Sequence, residues 1–291
     1  MARKELDPTD YRTRRRQAVP TTAVVANDFH FPYHDPLVLI LFMSFLRHLR
    51  PNVLIINGDA IDMSPISRFM KDPRRLNQLQ DDVDMLVSEL LRPARQILGD
   101  DALIVYNEGN HEQWLKKYLW TRAPELSGLR ALDIRELLCL NDLNIQYVTY
   151  EDHYEIGNMV VHHGEATNKY SARSNLETWG CSGISGHTHR LWSYAHRSYA
   201  NDLAWYENGC MCLRTVAKEY KKTAANWQKG FSVLSVFDDR TWVEQVRILE
   251  GRPESTTRKG AGSDVWPVLL FRGSIFKIER KIALARLQGV A

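Results

Sequence analysis

A repeated order of short apolar segments and longer amphipathic segments limits the folds open to the first half of this chain. Three short segments rich in β-branched residues each end in polar residues: TAVVAND, NVLIINGD and DALIVYNEGNH, which begin at Thr22, Asn52 and Asp101. Between them, residues 37–49 have the length of a buried helix, and residues 76–98 space apolar side chains three and four apart, the helix period. Strands that alternate with helices predict parallel pairing with helical crossovers. We therefore expect an α/β fold.

The second half carries further strand patterns, and its end leaves two alternatives open. Strands are predicted at NMVVHHGE, CSGISGHTH, YENGCMCLRTV and GFSVLSVFDDRTWVEQVRIL, which begin at Asn158, Cys181, Tyr206 and Gly230. A helix is expected over 166–180, while residues 250–265 are polar and glycine-rich, which is typical of a linker. The apolar segment 266–287 fits either a hairpin around residues 272–274 or a partly helical extension.

These patterns predict three parts: a basic N-terminal arm over 1–20, one catalytic domain over 21–249, and a linker with a C-terminal extension over 250–291. The arm carries six basic residues, Arg3, Lys4, Arg12, Arg14, Arg15 and Arg16. Such an arm fits either phosphate contacts to a nucleic acid or a solubilising tail, and both hypotheses stay open.

Composition excludes several classes of protein. The formal net charge of +3 is too close to balance to indicate nucleic-acid binding by itself. The four cysteines show no framework spacing, which favours reduced thiols over disulfides. The longest apolar run, Leu37 to Leu46, is about half the length that a bilayer span needs. With no apolar signal region after the arm, we expect a cytoplasmic protein without a membrane partner.

Side chains that bind metals cluster where the predicted strands end. Chemistry in parallel sheets collects at the carboxyl ends of the strands, on the loops that leave them. Five segments carry these side chains: Asp28-Phe29-His30; Gly58-Asp59 with Asp62; Gly109-Asn110-His111-Glu112; His162-His163-Gly164; and Gly186-His187-Thr188-His189. Each segment alone is explained by a helix cap, a turn or a buried histidine. Independent caps and turns do not account for all five segments in this order.

In order and residue type, these segments resemble the signature motifs of the calcineurin-like metallophosphoesterases: D-x-H, G-D-x-x-D, G-N-H-[ED], H-G and G-H-x-H. The resemblance runs from about Ala23 to Val236 and is nearest to compact bacterial and phage-type members. It implies an α/β sandwich of two mixed sheets flanked by helices, with the site at the carboxyl ends of the strands.

The resemblance also implies a role for each residue in a two-metal site. Asp28, His30 and His189 match the ligands of one ion, and Asn110, His163 and His187 those of the other. Asp59 matches the carboxylate that bridges both ions. His111 matches the catalytic histidine, and Asp62 the carboxylate that orients it. The donor set fits two divalent ions, Mn²⁺ first, with Fe, Zn, Ni and Co also compatible.

Two departures from the motifs bear on the substrate. Ser/Thr protein phosphatases of this superfamily carry arginines after the second motif and before the third, where this chain has Met63 and Glu108. The turn usually written N-P-G-S is ENGC here, at 207–210. Without those two arginines, a terminal phosphomonoester loses its usual clamp, which favours a phosphodiester.

Residues 63–78 follow the second motif and carry several basic side chains, of which we predict Arg68, Arg74 and Arg75 to contact substrate phosphates. A solvated basic loop is the alternative. Tyr33, Trp114, Tyr170 and Trp192 stand close to the motifs and fit either base stacking or packing around the site.

The sequence therefore predicts a dinuclear-metal-dependent phosphodiesterase that acts on nucleic acid or a nucleotide by in-line attack of a metal-bound hydroxide. One alternative is a phosphomonoesterase, including a Ser/Thr-type protein phosphatase. Another, of a different class, is a non-catalytic interaction module on the same fold. Every ligand position is filled, and this favours the enzyme.

Overall fold

A computed structural model of the chain describes residues 20–69, 73, 78–214, 225–238, 240–249 and 267–278. Several predictions lie outside the described residues. They are the basic arm, apart from Pro20, the linker at 250–265, and the substrate contacts of Arg74 and Arg75.

The first sheet has eight strands, of which four are parallel and four form an antiparallel extension. The parallel strands are β1 (Thr21–Ala26), β2 (Val53–Asn57), β3 (Leu103–Asn107) and β4 (Ile145–Val148). The antiparallel strands are β10 (Gly230–Phe237), β11 (Arg240–Leu249), β12 (Val268–Phe271) and β13 (Ser274–Lys277). The spatial order is β13-β12-β11-β10-β1-β2-β3-β4.

The second sheet has five strands and is also mixed. Its strands are β5 (Tyr154–Ile156), β6 (Met159–Val161), β7 (Ser182–Ser185), β8 (Leu191–Arg197) and β9 (Asp202–Asn208). They lie in the order β5-β6-β7-β9-β8, and the three central strands run parallel. Strands β5 and β8 close the two edges in antiparallel pairs.

The helices begin and end where the local sequence dictates. In α1 (Pro36–Leu49), the Asp35 carboxylate caps the first turn, because it accepts hydrogen bonds from the backbone N–H groups of Leu37 and Val38 at 3.0 and 3.2 Å. Pro93 has no N–H for a helical ladder, and a π-helical segment precedes its helix. The other α-helices are α2 (Leu79–Leu86), α3 (Arg92–Leu98), α4 (Gln113–Arg122), α5 (Ile134–Leu137) and α6 (Ser171–Trp179), and the π segment Val87–Leu91 lies between α2 and α3. Short 3₁₀ helices cover Ser64–Ile66, Pro124–Leu126 and Arg130–Leu132.

Three apolar layers hold these elements together. Between the sheets, Val25 and Ile55 pack in one buried cluster with Val161 and Ile184 of the second sheet. A larger cluster joins the other face of the first sheet to α1 and to the helices over 79–98. A third cluster packs α6 against the outer face of the second sheet, around the fully buried Trp205. The prediction of an α/β sandwich of two mixed sheets flanked by helices is confirmed.

The two alternatives for the apolar C-terminal segment are resolved for its described residues. Residues 268–277 form a hairpin, and β12 pairs with β11, so that the hairpin extends the first sheet. Among the described residues, no helix is both long enough and apolar enough to cross a membrane.

Candidate metal centre

The predicted ligands come together at one end of the sandwich. Asp28, Asp59 and Asn110 lie on the loops that leave β1, β2 and β3, and His163 follows β6. His187 and His189 lie on the loop between β7 and β8. Parallel strands end at the same edge of a sheet, so the topology delivers these loops to one place although up to 161 positions separate them in the chain, from Asp28 to His189.

Five of the predicted ligands have a left-handed backbone conformation. Their φ angles are 54° at Asp28, 53° at His30, 49° at Asp59, 66° at His187 and 58° at His189. A residue other than glycine is rarely found there, because its Cβ is crowded, and the surrounding structure must compensate the cost. Such conformations cluster at functional sites, and here they point to geometry that is maintained for the side chains.

The first cluster consists of Asp28, His30 and His189, all of them buried. The Nε2 atom of His189 lies 3.0 Å from Asp28 Oδ1, and His30 Nε2 lies 3.6 Å from the same oxygen. The two imidazole Nε2 atoms are 3.1 Å apart. Two nitrogens and one carboxylate oxygen thus converge on one small volume, as they do around a shared cation.

The second cluster consists of Asp59, His163 and His187. Asp59 Oδ2 lies 3.1 Å from His163 Nε2, and it is also 3.9 Å from Nε2 of His30 in the first cluster. The rings of His163 and His187 are 5.3 Å apart, and His187 is partly exposed. One oxygen of Asp59 therefore faces both clusters, which is the position that a bridging carboxylate requires.

Three buried atoms of the predicted ligands have no hydrogen-bond partner outside the predicted ligands, among the residues that the structure describes. They are Asn110 Oδ1; Asp28 Oδ1, which faces the Nε2 atoms of His189 and His30; and His163 Nε2, which faces Asp59. A buried polar atom without a partner is costly unless something else satisfies it. The other ring nitrogen of His163, Nδ1, lies 2.9 Å from the Asn57 carbonyl oxygen and donates to it, which leaves the Nε2 lone pair for a metal. These donors fit two divalent cations.

Carboxylates and histidines in the clusters shift one another's ionisation. Burial opposes a charged His163, but Asp59 outweighs it and raises the pKa of His163 to about 9. Burial likewise opposes a charged His30, whose pKa is nevertheless raised well above its ordinary value by Asp28 and Asp62. For His187, burial and the neighbouring His163 both act against the charge and lower the pKa to about 4.

His111 lies beside both clusters, and its orientation refines the prediction for Asp62. Its Nδ1 is 2.7 Å from the backbone carbonyl oxygen of Asp62, whereas the Asp62 carboxylate is 3.7 Å away. That carboxylate is nearer to Nδ1 of His30, at 3.2 Å. Asp62 thus orients His111 chiefly through its main chain. Nε2 of His111 lies 3.7 Å from Asp59 Oδ2, so it faces the metal-binding atoms.

Glu112 fastens two of the site loops together, a role that sequence patterns did not indicate. Its buried carboxylate accepts hydrogen bonds from the backbone N–H groups of Asp59, Ala60 and Gly109, at 3.0, 2.8 and 2.9 Å. Tyr106 donates its hydroxyl to the same group at 2.8 Å. The acidic fourth position of the G-N-H-[ED] motif was the available signal. At Gly109 a Cβ would lie 2.2 Å from the backbone N of Asp59, so that only glycine permits this approach.

A buried ion pair holds the loop that carries His187 and His189. Arg190 lies 2.9 Å from the fully buried Glu207, and Thr188 donates its hydroxyl to the same carboxylate oxygen at 2.6 Å. Arg190 also donates to the carbonyl oxygen of Asn168 at 2.7 Å. This arginine is therefore engaged in structure rather than directed at a phosphate, and nothing in the sequence distinguished it from a surface residue.

Two other groups near the site have structural surroundings. His162 is buried, and its two nitrogens lie 3.0 Å from the Tyr150 carbonyl oxygen and the Gly164 N–H, in keeping with the prediction that it packs rather than ligates. Cys210 and Cys212 are buried free thiols, and Cys212 Sγ is 4.0 Å from Nδ1 of His189.

Of the predicted substrate contacts, Arg68 is described and exposed, with its guanidinium over the Phe69 ring. Trp114 is partly buried against the ring of His111, while Tyr170 and Trp192 are exposed. Tyr33 packs on a small buried cluster that contains both Cys210 and Cys212.

Comparison with known proteins gives weak likenesses. No family model matches the chain. The gene 54 proteins of Mycobacterium phages L5 and D29 are each 26% identical to it, over 245 and 247 residues that cover 79% of this chain and 94% of theirs. Among solved structures, a Vps29 mutant from Entamoeba histolytica gives a TM-score of 0.38 at 14% identity, covering 87% of this chain and 95% of that one. A dimetal phosphatase from Danio rerio gives 0.42 at 11% identity, with coverages of 78% and 96%.

Proposed function

We propose that this protein is a dinuclear-metal-dependent phosphoester hydrolase of the calcineurin-like metallophosphoesterase type, and that it cleaves phosphodiesters of nucleic acids or nucleotides. The observation that carries the proposal is the pair of clusters that share Asp59. Buried atoms of Asp28, Asn110 and His163, three of the seven ligands expected from the sequence motifs, have no hydrogen-bond partner outside the predicted ligands among the described residues. Two divalent ions bound there, Mn²⁺ in the first instance, would neutralise phosphate charge and acidify a water molecule.

The residues of the chain would divide the remaining work. Because a carbonyl oxygen only accepts, the hydrogen bond to Asp62 fixes a proton on Nδ1 of His111 and leaves Nε2 as the atom that gains and gives a proton. A carboxylate oxygen of Asp59 lies 3.7 Å from Nε2 of this ring, and one of Asp62 lies 3.7 Å from Nδ1. His111 would then donate a proton to the oxygen that leaves the phosphorus.

The surroundings of the motifs favour a diester over a monoester. Met63 and Glu108 occupy the positions where Ser/Thr protein phosphatases carry arginines, and both side chains are buried. Glu108 accepts a hydrogen bond from the Tyr150 N–H at 3.0 Å, so it serves the fold. A phosphodiester carries one negative charge fewer than a fully ionised monoester and needs fewer cationic contacts. The four free thiols are typical of a reducing compartment, which supports a cytoplasmic location as part of this proposal.

Hydrolysis of bis-p-nitrophenyl phosphate and of p-nitrophenyl phosphate with Mn²⁺ tests this proposal, with Asp59→Ala as the blank for both substrates and His111→Ala as the blank for natural phosphodiesters. We expect a higher kcat/KM for the diester, and cleavage within a panel of DNA, RNA and cyclic nucleotides. Strong preference for the monoester would replace the diesterase by a phosphatase. If the protein bound no divalent metal and His111→Ala changed nothing, the chain would instead be a non-catalytic module.

A further inference from the structure

A series of aromatic rings leads from the proposed catalytic histidine to the protein surface. Trp114 follows His111 by three residues on the turn that opens α4, and its N–H donates to the His111 carbonyl oxygen at 3.0 Å. This spacing places the two side chains over each other. Their ring centroids are 3.9 Å apart, and the planes are inclined by 31°.

The next ring comes from a different loop. Phe69 lies after the short helix Ser64–Ile66, its centroid is 5.9 Å from that of Trp114, and the planes meet at 62°. The Phe69 N–H donates to the hydroxyl of Ser67 at 3.3 Å, and this hydroxyl belongs to a buried side chain. The Phe69 ring is therefore positioned by two contacts: the hydrogen bond of its own backbone to Ser67 and the packing of its ring against Trp114.

Phe69 is nevertheless 49% exposed. Burial of a phenyl ring stabilises a protein. With half of its surface exposed, the Phe69 ring contributes only about half of this stabilisation, although it lies next to the site. The guanidinium carbon of Arg68 lies 5.4 Å from the centre of the Phe69 ring, at cation–π distance. A half-exposed aromatic ring with a cation beside it is typical of the sites where proteins bind bases of single-stranded nucleic acids.

We propose that Phe69, supported by Trp114 and Arg68, is the stacking site for the nucleobase of the leaving nucleoside. This inference rests on the proposed phosphodiesterase function, in which His111 protonates the leaving oxygen. The nucleoside that carries this oxygen must then lie on the His111 side of the phosphate. Trp114 and Phe69 extend from His111, so these two rings lie on the same side of the phosphate as the leaving nucleoside. Stacking tolerates any base, because every base presents a π face.

The test uses a dinucleotide and two abasic analogues, each of which lacks the base of one nucleoside. Product analysis shows which nucleoside leaves without the phosphate. We expect the wild type to lose kcat/KM by about tenfold when that base is removed, the usual effect of one stacked base. Phe69→Ala and Phe69→Leu should lose this preference, because neither keeps an aromatic face, while Phe69→Trp should keep it.

Phe237→Ala is the matched control, since Phe237 is a similarly exposed phenylalanine at the opposite end of β10 from the site. A second measurement does not need turnover: calorimetric titration with adenosine and with ribose, which correspond to the leaving nucleoside with and without its base. The wild type should bind the nucleoside about tenfold more tightly, and Phe69→Ala should bind both ligands equally.

The outcomes separate the two proposals. If the wild type hydrolyses neither bis-p-nitrophenyl phosphate nor a dinucleotide, the phosphodiesterase function fails. If it hydrolyses the dinucleotide and both abasic analogues equally, with Phe69→Ala unchanged, the enzyme stands and the stacking site is wrong. An equal loss of activity in Phe69→Ala on all three substrates would assign Phe69 to packing around His111 and would also overturn the inference.

Discussion

The two metal-binding clusters differ in how firmly the rest of the chain holds them. All three residues of the first cluster, Asp28, His30 and His189, are buried and have left-handed backbones. In the second cluster, His163 has an ordinary backbone, and His187 is partly exposed.

Several side chains also support the first cluster from behind. Asn27 donates its side-chain N–H both to Asp28 Oδ2 and to the Gly209 carbonyl oxygen, and Asn208 donates to Asn27 Oδ1 at 2.6 Å. The indole of Trp227 lies 4.1 Å from the ring of His189. A preorganised set of ligands binds an ion more tightly than one that must be ordered. We therefore expect the first ion to be held tightly and the second to exchange with solvent more readily.

Asp59 is the residue that the clusters share, and its loss should abolish the difference between them. Asp59→Ala should reduce kcat/KM by more than about 100-fold, because it removes a direct contact to both ions, and outer contacts alone are worth about 10- to 100-fold. Metal analysis should show that both ions are weakened. Asp202→Asn, an exposed carboxylate at the start of β9, is the control. Retention of one ion at full affinity would show that Asp59 serves a single cluster.

His111 stands beside both clusters, and its replacement should leave their metal content intact. His111→Ala should lower kcat by about 10²- to 10⁴-fold on a dinucleotide, the usual contribution of a positioned acid. The loss should be smaller for bis-p-nitrophenyl phosphate, because p-nitrophenolate leaves without a proton. His111, His30 and Asp59 also come within ligand distance of one another. Loss of an ion from His111→Ala would therefore make His111 a ligand.

Much of the frame of the site follows from the sequence. The strands that end at Ala26, Asn57 and Asn107 follow from runs of β-branched residues, and their alternation with helices indicates an α/β fold. Their parallel order brings the polar residues after them to one edge. The motif resemblance then assigned the side chains to two ions, and the distances in the structure are compatible with this division.

The supporting contacts did not follow from the sequence, because they depend on where separate loops meet. Glu112 bonds to residues 51 to 53 positions away, and Arg190 to Glu207 across two strands. The use of the Asp62 carbonyl oxygen instead of its carboxylate depends on a local turn. The hairpin over 268–277 was undecided because its apolar residues fit either periodicity, and pairing with β11 selects the strand.

Only Thr188 lies between His187 and His189 in the chain, but we assign the two histidines to different clusters. Single substitutions test this assignment. His189→Ala should weaken the first ion and His187→Ala the second, each by more than the roughly 10- to 100-fold that loss of an outer contact costs, and each with the other ion retained. The larger loss is expected for His189, which is buried against Asp28. Metal titration of both variants measures this. Loss of the same ion from both variants would contradict the assignment.

Gly186 tests whether the rigidity of the first cluster comes from close packing. A Cβ at this position would lie 2.6 Å from Asp28 Oδ2 and 2.7 Å from Asn27 Nδ2, and neither buried side chain has room to move. Gly186→Ala should lower the free energy of unfolding by about 1–3 kcal/mol and weaken the first ion. Gly128→Ala, whose Cβ meets nothing within 4 Å, is the control. Equal stability of the two variants by denaturant titration would show that the first cluster adapts.

The clusters should be alike in one respect, the release of one proton for each ion bound. Each contains one histidine whose pKa is raised by carboxylates: His30 well above its ordinary value, and His163 to about 9. Both raised pKa values favour a protonated ring at pH 7, and the proton on Nε2 must leave before that nitrogen can bind a metal. Titration calorimetry with Mn²⁺ at pH 7, in buffers of different ionisation enthalpy, should give about one proton per ion.

His163→Ala should abolish proton release from the second cluster alone. In the wild-type protein, the affinity for the second ion should rise with pH until His163 is deprotonated. Release that stays unchanged in His163→Ala would show that another group carries the proton.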